Sequence, residues 1–420
     1  MKTIGIDIGT TTISAVVLEY NGKGESGTRK RTIFSRSVQN RSFIQTGREW
    51  ERIQDASVLV KDAKELLDRL LEQYPDVEGI GLTGQMHGVV YVSREGEHVS
   101  PLYTWEDGRG ALADPEEESA VSWIQRRFQI PAATGYGMVT HFYHCRNGRV
   151  PENSTAICTI ADYFGMKLTG RREPLIHAGN AAGLGFYDTE NWRFRKEIIE
   201  AAGMNVGILP EVTDRLEALG DYRGIPVTVA LGDNQASFLG SVGTERETWQ
   251  VNVGTGGQIS VLSEQHFEAP GIEARPFLNR TWLLTGAILC AGRAYAILEQ
   301  FFRSCASAMG LGDTAQYELM NRLASSAAED AGGLEVRTCF QGTRTNPELR
   351  GSICGLSETN FLPENLVLGV LRGIAQEYYG FCQIIYDGTG LRAERLVGSG
   401  GGIRKNPVLQ KIFQDVFHAK

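Results

Sequence analysis

A chain of 420 residues is long enough for two or three domains, each with its own core. Its 42% hydrophobic and 22% charged residues are the proportions of a soluble globular protein. A net charge of −8 excludes a nucleic-acid binder held by phosphate contacts, yet leaves room for a small phosphate pocket lined by local donors.

Ile4 to Leu18 reads as a strand, a tight Gly9-Thr10-Thr11-Thr12 turn and a second strand, with β-branched and apolar residues on both flanks. Asp7 interrupts the first apolar stretch almost at once, so no signal peptide is expected, and no apolar run nears the ~18 residues of a membrane span. A third strand is expected near Thr32–Val38. Leu59, Ala63, Leu66, Leu67, Leu70 and Leu71 then recur at helical spacing, predicting a helix over Glu51–Tyr74 that Pro75 ends. A short strand over Gly79–Leu82 leads into the loop Thr83-Gly84-Gln85-Met86-His87-Gly88.

Thr104-Trp105-Glu106-Asp107-Gly108-Arg109 gathers an aromatic ring, two acids and a guanidinium within six residues. Such a set suits a polyol, with its CH faces and many hydroxyls, and equally suits a surface turn with a local ion pair. Val227–Gly232 is expected as one strand, with Asp233 directly at its end and Asn234 and Gln235 beside it. A carboxylate there can serve as a general base or as the cap of the helix that the apolar stretch 236–239 begins, and the two roles can coexist.

The opening order then restarts. Trp249–Leu262 is again strand, Gly-Thr turn and strand around Gly254-Thr255-Gly256. A helix over Pro363–Tyr386, a strand at Arg395–Gly398 and a glycine loop through Gly400, Gly401 and Gly402 follow, with another helix over Pro407–Phe417. This repeats the helix, strand and loop of 51–88. Two related α/β domains are expected, an N-terminal one over 1–232 and a C-terminal one over 233–420, with the boundary near 228–245.

Glycines in both turns let backbone approach an anion, while N–H groups and threonine hydroxyls donate to it. Asp7 before the first turn is placed to hold Mg²⁺ through water. The glycine loop near 400 is neither a Walker A sequence nor a dinucleotide fingerprint. Seven histidines without HExxH spacing and seven scattered cysteines without a CxxC pair predict no protein-only metal site and reduced thiols, as in a cytoplasmic protein.

In this order the elements resemble the FGGY family of carbohydrate kinases, within the actin-like superfamily of ribonuclease H-type domains. The resemblance spans the chain: Asp7–Thr12, then Gln85-Met86-His87-Gly88, Trp105-x-Asp107-x-Arg109, Gly232-Asp233-Asn234-Gln235, Gly254-Thr255-Gly256, and Gly400-Gly401 with Asn406. Ala133-Thr134-Gly135-Tyr136-Gly137, Gly179-Asn180-Ala181-Ala182 and Pro276–Thr281 make it most similar to the sedoheptulokinase branch. The resemblance implies an α/β fold of two actin-like domains around a deep cleft, sugar held mainly by the first and nucleotide by the second. It implies transfer of the ATP γ-phosphoryl group to the terminal hydroxyl of a ketose, with Mg²⁺.

Carried over residue by residue, Asp233 is the base, and Asp7 and Asp233 hold Mg²⁺. Gly9, Thr10, Thr11, Thr12, Gly254, Thr255, Gly256, Gly292, Gly400, Gly401 and Asn406 face ATP. Gln85, Met86, His87, Trp105, Asp107, Arg109, Asn180 and Asn234 face the sugar. The implied partners are sugar and ATP, without nucleic acid or membrane; a homodimer stays open.

Three departures stand out. Ser14 replaces a basic residue common in the family, Gln235 replaces a small one, and the sequence ends at Lys420, before the glycine- and alanine-rich helix of relatives. That end implies a C-terminal domain cut short. A pentulose kinase, a non-catalytic ATP switch and a catalytically dead sugar sensor are the competing readings.

Overall fold

The computed structural model describes residues 1–24, 27–113 and 118–419, without the side chains of 21–29; the end at Lys420 lies outside the described residues. Two compact units divide the chain, one formed by Met1–Ser237 with Pro276–Arg280, the other by Phe238–Arg275 with Thr281–Lys420.

The first unit is built on a mixed sheet. Strands β1 (Lys2–Ile8), β2 (Thr12–Gly24) and β3 (Gly27–Gln39) form an antiparallel meander. Helix α1 (Ala56–Gln73) then returns the chain to β4 (Val77–Gly84), parallel to β1. Beyond β4 lie β5 (Ala218–Tyr222), β6 (Ile225–Thr228) and the short β7 (Leu231–Gly232). In β1, Ile4, Ile6 and Ile8 alternate into the core, which leaves Asp7 on the opposite, half-buried face. Leu59, Ala63, Leu66, Leu67 and Leu70 of α1 pack on the same core.

Two local expectations are revised. The helix starts at Ala56 rather than Glu51, because Asp55 caps it by accepting from the N–H groups of Ser57 and Val58. Ile53–Gln54 instead pair as a short strand with Leu102–Tyr103. The single strand expected over 227–232 is broken. Val227 pairs with Ile80 and Leu231 with Thr83, four steps against three, so one extra residue is accommodated just before Asp233.

The second unit repeats the plan. Strands β8 (Thr248–Val253), β9 (Gly257–Ser263) and β11 (Trp282–Ile288) are successive antiparallel neighbours, with β10 (Ile272–Pro276) at the edge beside β11. The long α7 (Pro363–Thr389) leads to β12 (Arg395–Ser399), parallel to β8 as β4 is to β1. Helix α5 (Gly292–Ala308) follows β11, α6 (Tyr317–Ser326) follows it, and α9 (Pro407–Phe417) lies beyond the one-turn α8 (Gly401–Arg404). Trp249, Val251, Val253, Val367, Leu371 and Tyr378 are fully or nearly fully buried in its core. Among the described residues, no helix is long and apolar enough to cross a membrane.

Candidate active site

In the first unit the Gly9–Thr12 turn closes with Gly9 N–H donating to the Thr12 carbonyl at 3.0 Å. Asn40 holds it from behind, its Nδ2 donating to the carbonyls of Gly9 (3.1 Å) and Thr10 (2.9 Å). Gln54 Nε2 donates to the same Thr10 carbonyl. With those carbonyls occupied, the turn is rigid. Asn40 and Gln54 were not foreseen; a polar residue ending a strand is the only sequence signal either carries.

Thr10 also joins the turn to the sugar-side candidates. Its Oγ1 accepts from Trp105 Nε1 at 2.9 Å and donates to Gln85 Oε1 at 3.4 Å, and Gln85 Nε2 in turn donates to Gln54 Oε1. Trp105 stays 46% exposed even with its Nε1 engaged. Met86 and His87 follow Gln85. His87 takes the left-handed conformation at φ 70°, rare for a non-glycine residue, stacks on Tyr136 at 4.8 Å, and bonds through Nδ1 to the Gly183 carbonyl at 2.7 Å. That bond requires a proton on Nδ1. Tyr136, quoted above only for its motif, thus belongs beside the candidate site.

Asp107 and Arg109 lie beneath this loop, not on its outer side. Asp107 is fully buried and Arg109 is 4% exposed. Arg109 forks onto both carboxylate oxygens of Asp107, which also accept from the backbone N–H groups of Arg52 and Arg109. The guanidinium covers the Tyr103 ring at 4.2 Å and donates to His144 Nε2 at 2.7 Å. His144 then donates through Nδ1 to Tyr91 Oη, which donates to His141 Nδ1, both at 3.0 Å. Burial drives His141 down to about 4; burial and then Arg109 drive His144 to about 3, so both are neutral at pH 7. This wholly satisfied network fastens the loop that presents Trp105. Asn180 is likewise turned inward at 2% exposure, its Nδ2 engaged by Asp162 and by the Ala230 carbonyl.

Asp233 is the first residue of α4 (Asp233–Ser241) and is exposed; its Oδ1 accepts from the N–H of the half-buried Asn234 at 2.7 Å. The two acids meet here. Asp7 is raised from 3.8 to about 6, first by burial and then by the nearby Asp233 carboxylate. Neither oxygen of Asp7 has a hydrogen-bond donor among the described residues. Ser14, opposite Asp7 in register, brings no charge and bonds to Ser37 Oγ at 2.8 Å.

The second unit holds a cavity of about 700 Å³. Gly254, Thr255, Gly292, Tyr295, Gly401 and Asn406 are among its lining residues. The carbonyls of Gly254 and Thr255 accept from the N–H groups of Ala291, Gly292 and Arg293, which clamps the turn onto the start of α5. Only glycine fits at 292, where a Cβ would come within 2.4 Å of the Gly254 carbonyl. Gly400 has φ 87° and an equally close approach to the Val253 carbonyl. Asn406 Oδ1 caps α9 through Leu409 N–H, and its Nδ2 points to Asn321 Oδ1 at 3.3 Å. Tyr295 Oη donates to that same oxygen at 2.8 Å, with the Tyr317 ring 5.9 Å from its own. No sequence motif announced Tyr295, Tyr317 or Asn321. Among the described residues no group of three or more His, Cys, Asp or Glu could hold a metal.

Comparison with known proteins bears on both units. The N-terminal domain of the FGGY family of carbohydrate kinases matches residues 2–240, and its C-terminal domain matches residues 250–420. The chain belongs to the FGGY family of carbohydrate kinases. It is an ATP-dependent sugar kinase. A sedoheptulokinase of Mus musculus is 27% identical over 99% of this chain and 92% of that protein. A xylulose kinase of Klebsiella pneumoniae is 23% identical over 95% and 82%. The solved structure of a xylulose kinase from Rhodospirillum rubrum superposes with a TM-score of 0.83 at 19% identity, covering all of this chain and 85% of that one, and shares its fold.

Proposed function

We propose that this FGGY kinase phosphorylates the terminal primary hydroxyl of a ketose, with sedoheptulose preferred and sedoheptulose 7-phosphate as product. The observation that carries the catalytic part is the exposed carboxylate of Asp233 at the end of β7, close enough to Asp7 to raise its pKa. Asp233 accepts the proton of the substrate hydroxyl. The hydroxyl oxygen forms the new bond to the γ-phosphorus, and the bond from that phosphorus to the bridging oxygen of ADP breaks. The sugar lies against the Trp105 face with Met86, His87, Gln85 and Asn234 around it, while Asp107 and Arg109 hold that face in place.

The nucleotide occupies the cavity of the second unit, its phosphates toward the Gly254–Gly256 turn and its base toward Tyr295 and Asn406. Gly9, Thr10, Thr11 and Thr12 face the γ-phosphate. The two acids suit Mg²⁺: they are hard oxygen donors, close enough for the Asp233 carboxylate to raise Asp7. Bound there with ATP, Mg²⁺ would spread the charge of the transferred group. Soluble substrates of this kind fit a cytoplasmic enzyme.

The heptulose rests on the sequence resemblance and on the 27% identity to the mouse sedoheptulokinase. A pentulose is the second reading, favoured by the xylulose kinase relatives. The test is sugar-dependent ADP release measured with sedoheptulose, xylulose, ribulose and glycerol. The highest kcat/KM is expected for sedoheptulose; a higher value for xylulose would move the assignment to the pentuloses. ATP turnover unaffected by every sugar would remove the kinase reading of the site.

A further inference from the structure

Asp162 and Asn180 make a buried bridge that the phosphoryl-transfer scheme does not use. Asp162 lies in the first turn of α2 (Ile160–Thr169), 1% exposed, and its Oδ2 accepts from Thr159 Oγ1 at 2.6 Å in a capping box. Asn180 lies in α3 (Ala178–Leu184), a helix whose first turn is capped by His177. The amide nitrogen of Asn180 donates to two acceptors. One is Asp162 Oδ1 at 3.1 Å; the other is the carbonyl of Ala230, also at 3.1 Å.

Ala230 stands between the end of β6 at Thr228 and the start of β7 at Leu231, at the irregularity that brings the chain to Leu231, Gly232 and then Asp233. A carbonyl there needs another donor. An amide can supply one donor to a carboxylate and one to a carbonyl only if it keeps a single orientation, so the bridge fixes both ends. Gly232 has no room to adjust alone, since a Cβ on it would lie 2.5 Å from Met86 Sδ and 2.7 Å from Gln235 Oε1. Gln235, fully buried, donates through Nε2 to the Pro276 carbonyl and anchors the other side of Asp233.

We propose that Asn180 is a positioning residue for Asp233, holding the backbone that carries the base by bridging the Asp162 carboxylate to the Ala230 carbonyl. The inference rests on the reading of Asp233 as the general base. Displacing a reacting group by about 1 Å costs on the order of 10²-fold in rate, whereas binding through Trp105, His87 and the second unit is untouched.

In full-length protein, Asn180→Ala should lower kcat by about 10- to 100-fold and leave KM for sugar and ATP within about threefold. Asn180→Ser, which keeps one donor for two acceptors, should fall between it and the wild type. Asp162→Asn keeps an oxygen for Asn180 to meet and should retain most of kcat. Leu168→Ala, which loosens α2 without touching the bridge, should lower the unfolding temperature and leave kcat at 20 °C within about twofold. Asn180→Ala and Asn180→Ser with wild-type kcat, beside an inactive Asp233→Asn, would overturn the proposal alone. Loss of sugar KM instead of kcat would also overturn it, returning Asn180 to the sugar site. Should Asp233→Asn stay active, the base reading fails, and that result is separable from the others.

Discussion

Burying the Asp7 carboxylate, and then setting Asp233 beside it, should make the protein less stable than it could be, and Asp7→Asn should reveal this. Asp7 is raised from 3.8 to about 6, a shift of about two units, which at about 1.4 kcal/mol per unit sets a ceiling near 3 kcal/mol. Asp7 is only half-buried and solvent screens part of the interaction, so about 1–2 kcal/mol is the expected gain. That corresponds to a rise of roughly 2–8 °C in the unfolding temperature of a unit of this size. The sign follows from linkage. A carboxyl raised in the folded state contributes most favourably below its ordinary 3.8, and that contribution is lost as pH rises through about 6. The variant's advantage should therefore be full above pH 7, shrink between pH 6 and 4, and vanish below. The assay is thermal unfolding with a chelator present at pH 4, 5, 6 and 7.5. Added Mg²⁺ and ATP should stabilise the wild type more than the variant, because binding energy is then recovered by the acid pair. A variant equally or less stable than wild type at pH 7.5 without metal would refute the reasoning from burial and repulsion, whatever its activity.

Asp233→Asn should reduce kcat by at least ~10²-fold while ATP binding is kept, as steady-state kinetics and nucleotide titration would show. Mg²⁺ affinity in the presence of ATP should weaken as pH falls through about 6, since protonated Asp7 is no ligand; titration calorimetry should also show proton release on binding at that pH. Ser14→Lys would set an ammonium opposite Asp7, and should move this pH edge downward, with an unmoved edge counting against the pairing. Thr10→Val removes the acceptor for Trp105 Nε1 and the donor to Gln85, so sugar KM should rise several-fold, matching about 1 kcal/mol, with a change in tryptophan fluorescence. Gly292→Ala, whose added Cβ would meet the Gly254 carbonyl at 2.4 Å, should raise KM for ATP at least about tenfold and leave sugar binding in place.

The repeated plan was legible because it is written in periodicity. Alternation at Ile4, Ile6 and Ile8 and the helical spacing of Leu59 to Leu70 are direct images of a strand and a helix facing a core. The two Gly-Thr turns announced themselves through residue type, and the Pro407–Phe417 helix through its proline start. The beginning of α1 was misread because Ile53 is apolar and fits the helical stripe, although its partner is Tyr103, fifty residues on. The break before Asp233 was invisible for a related reason. The Asn180 amide that meets the Ala230 carbonyl lies on α3, and no window over 227–232 contains that residue.

The site residues divide along the same physical line. Asp7, Thr10, Trp105 and Asp233 owe their placement to the ends of strands and turns, which local sequence predicts. Asp107, Arg109 and Asn180 have the same polar character, yet are buried. Whether a polar side chain turns inward depends on whether partners wait there, and burying it costs a few kcal/mol unless each donor and acceptor is met. Here Asp107 meets Arg109 and two backbone N–H groups, and Asn180 meets Asp162 and Ala230. An Asp–x–Arg pair beside a tryptophan therefore reads as a ligand set in sequence and acts as a mount in structure. A phosphoryl-transfer site gains from this division. Residues that must hold a geometry are kept dry and saturated, and the two proposed to meet substrate, Trp105 and Asp233, stay exposed.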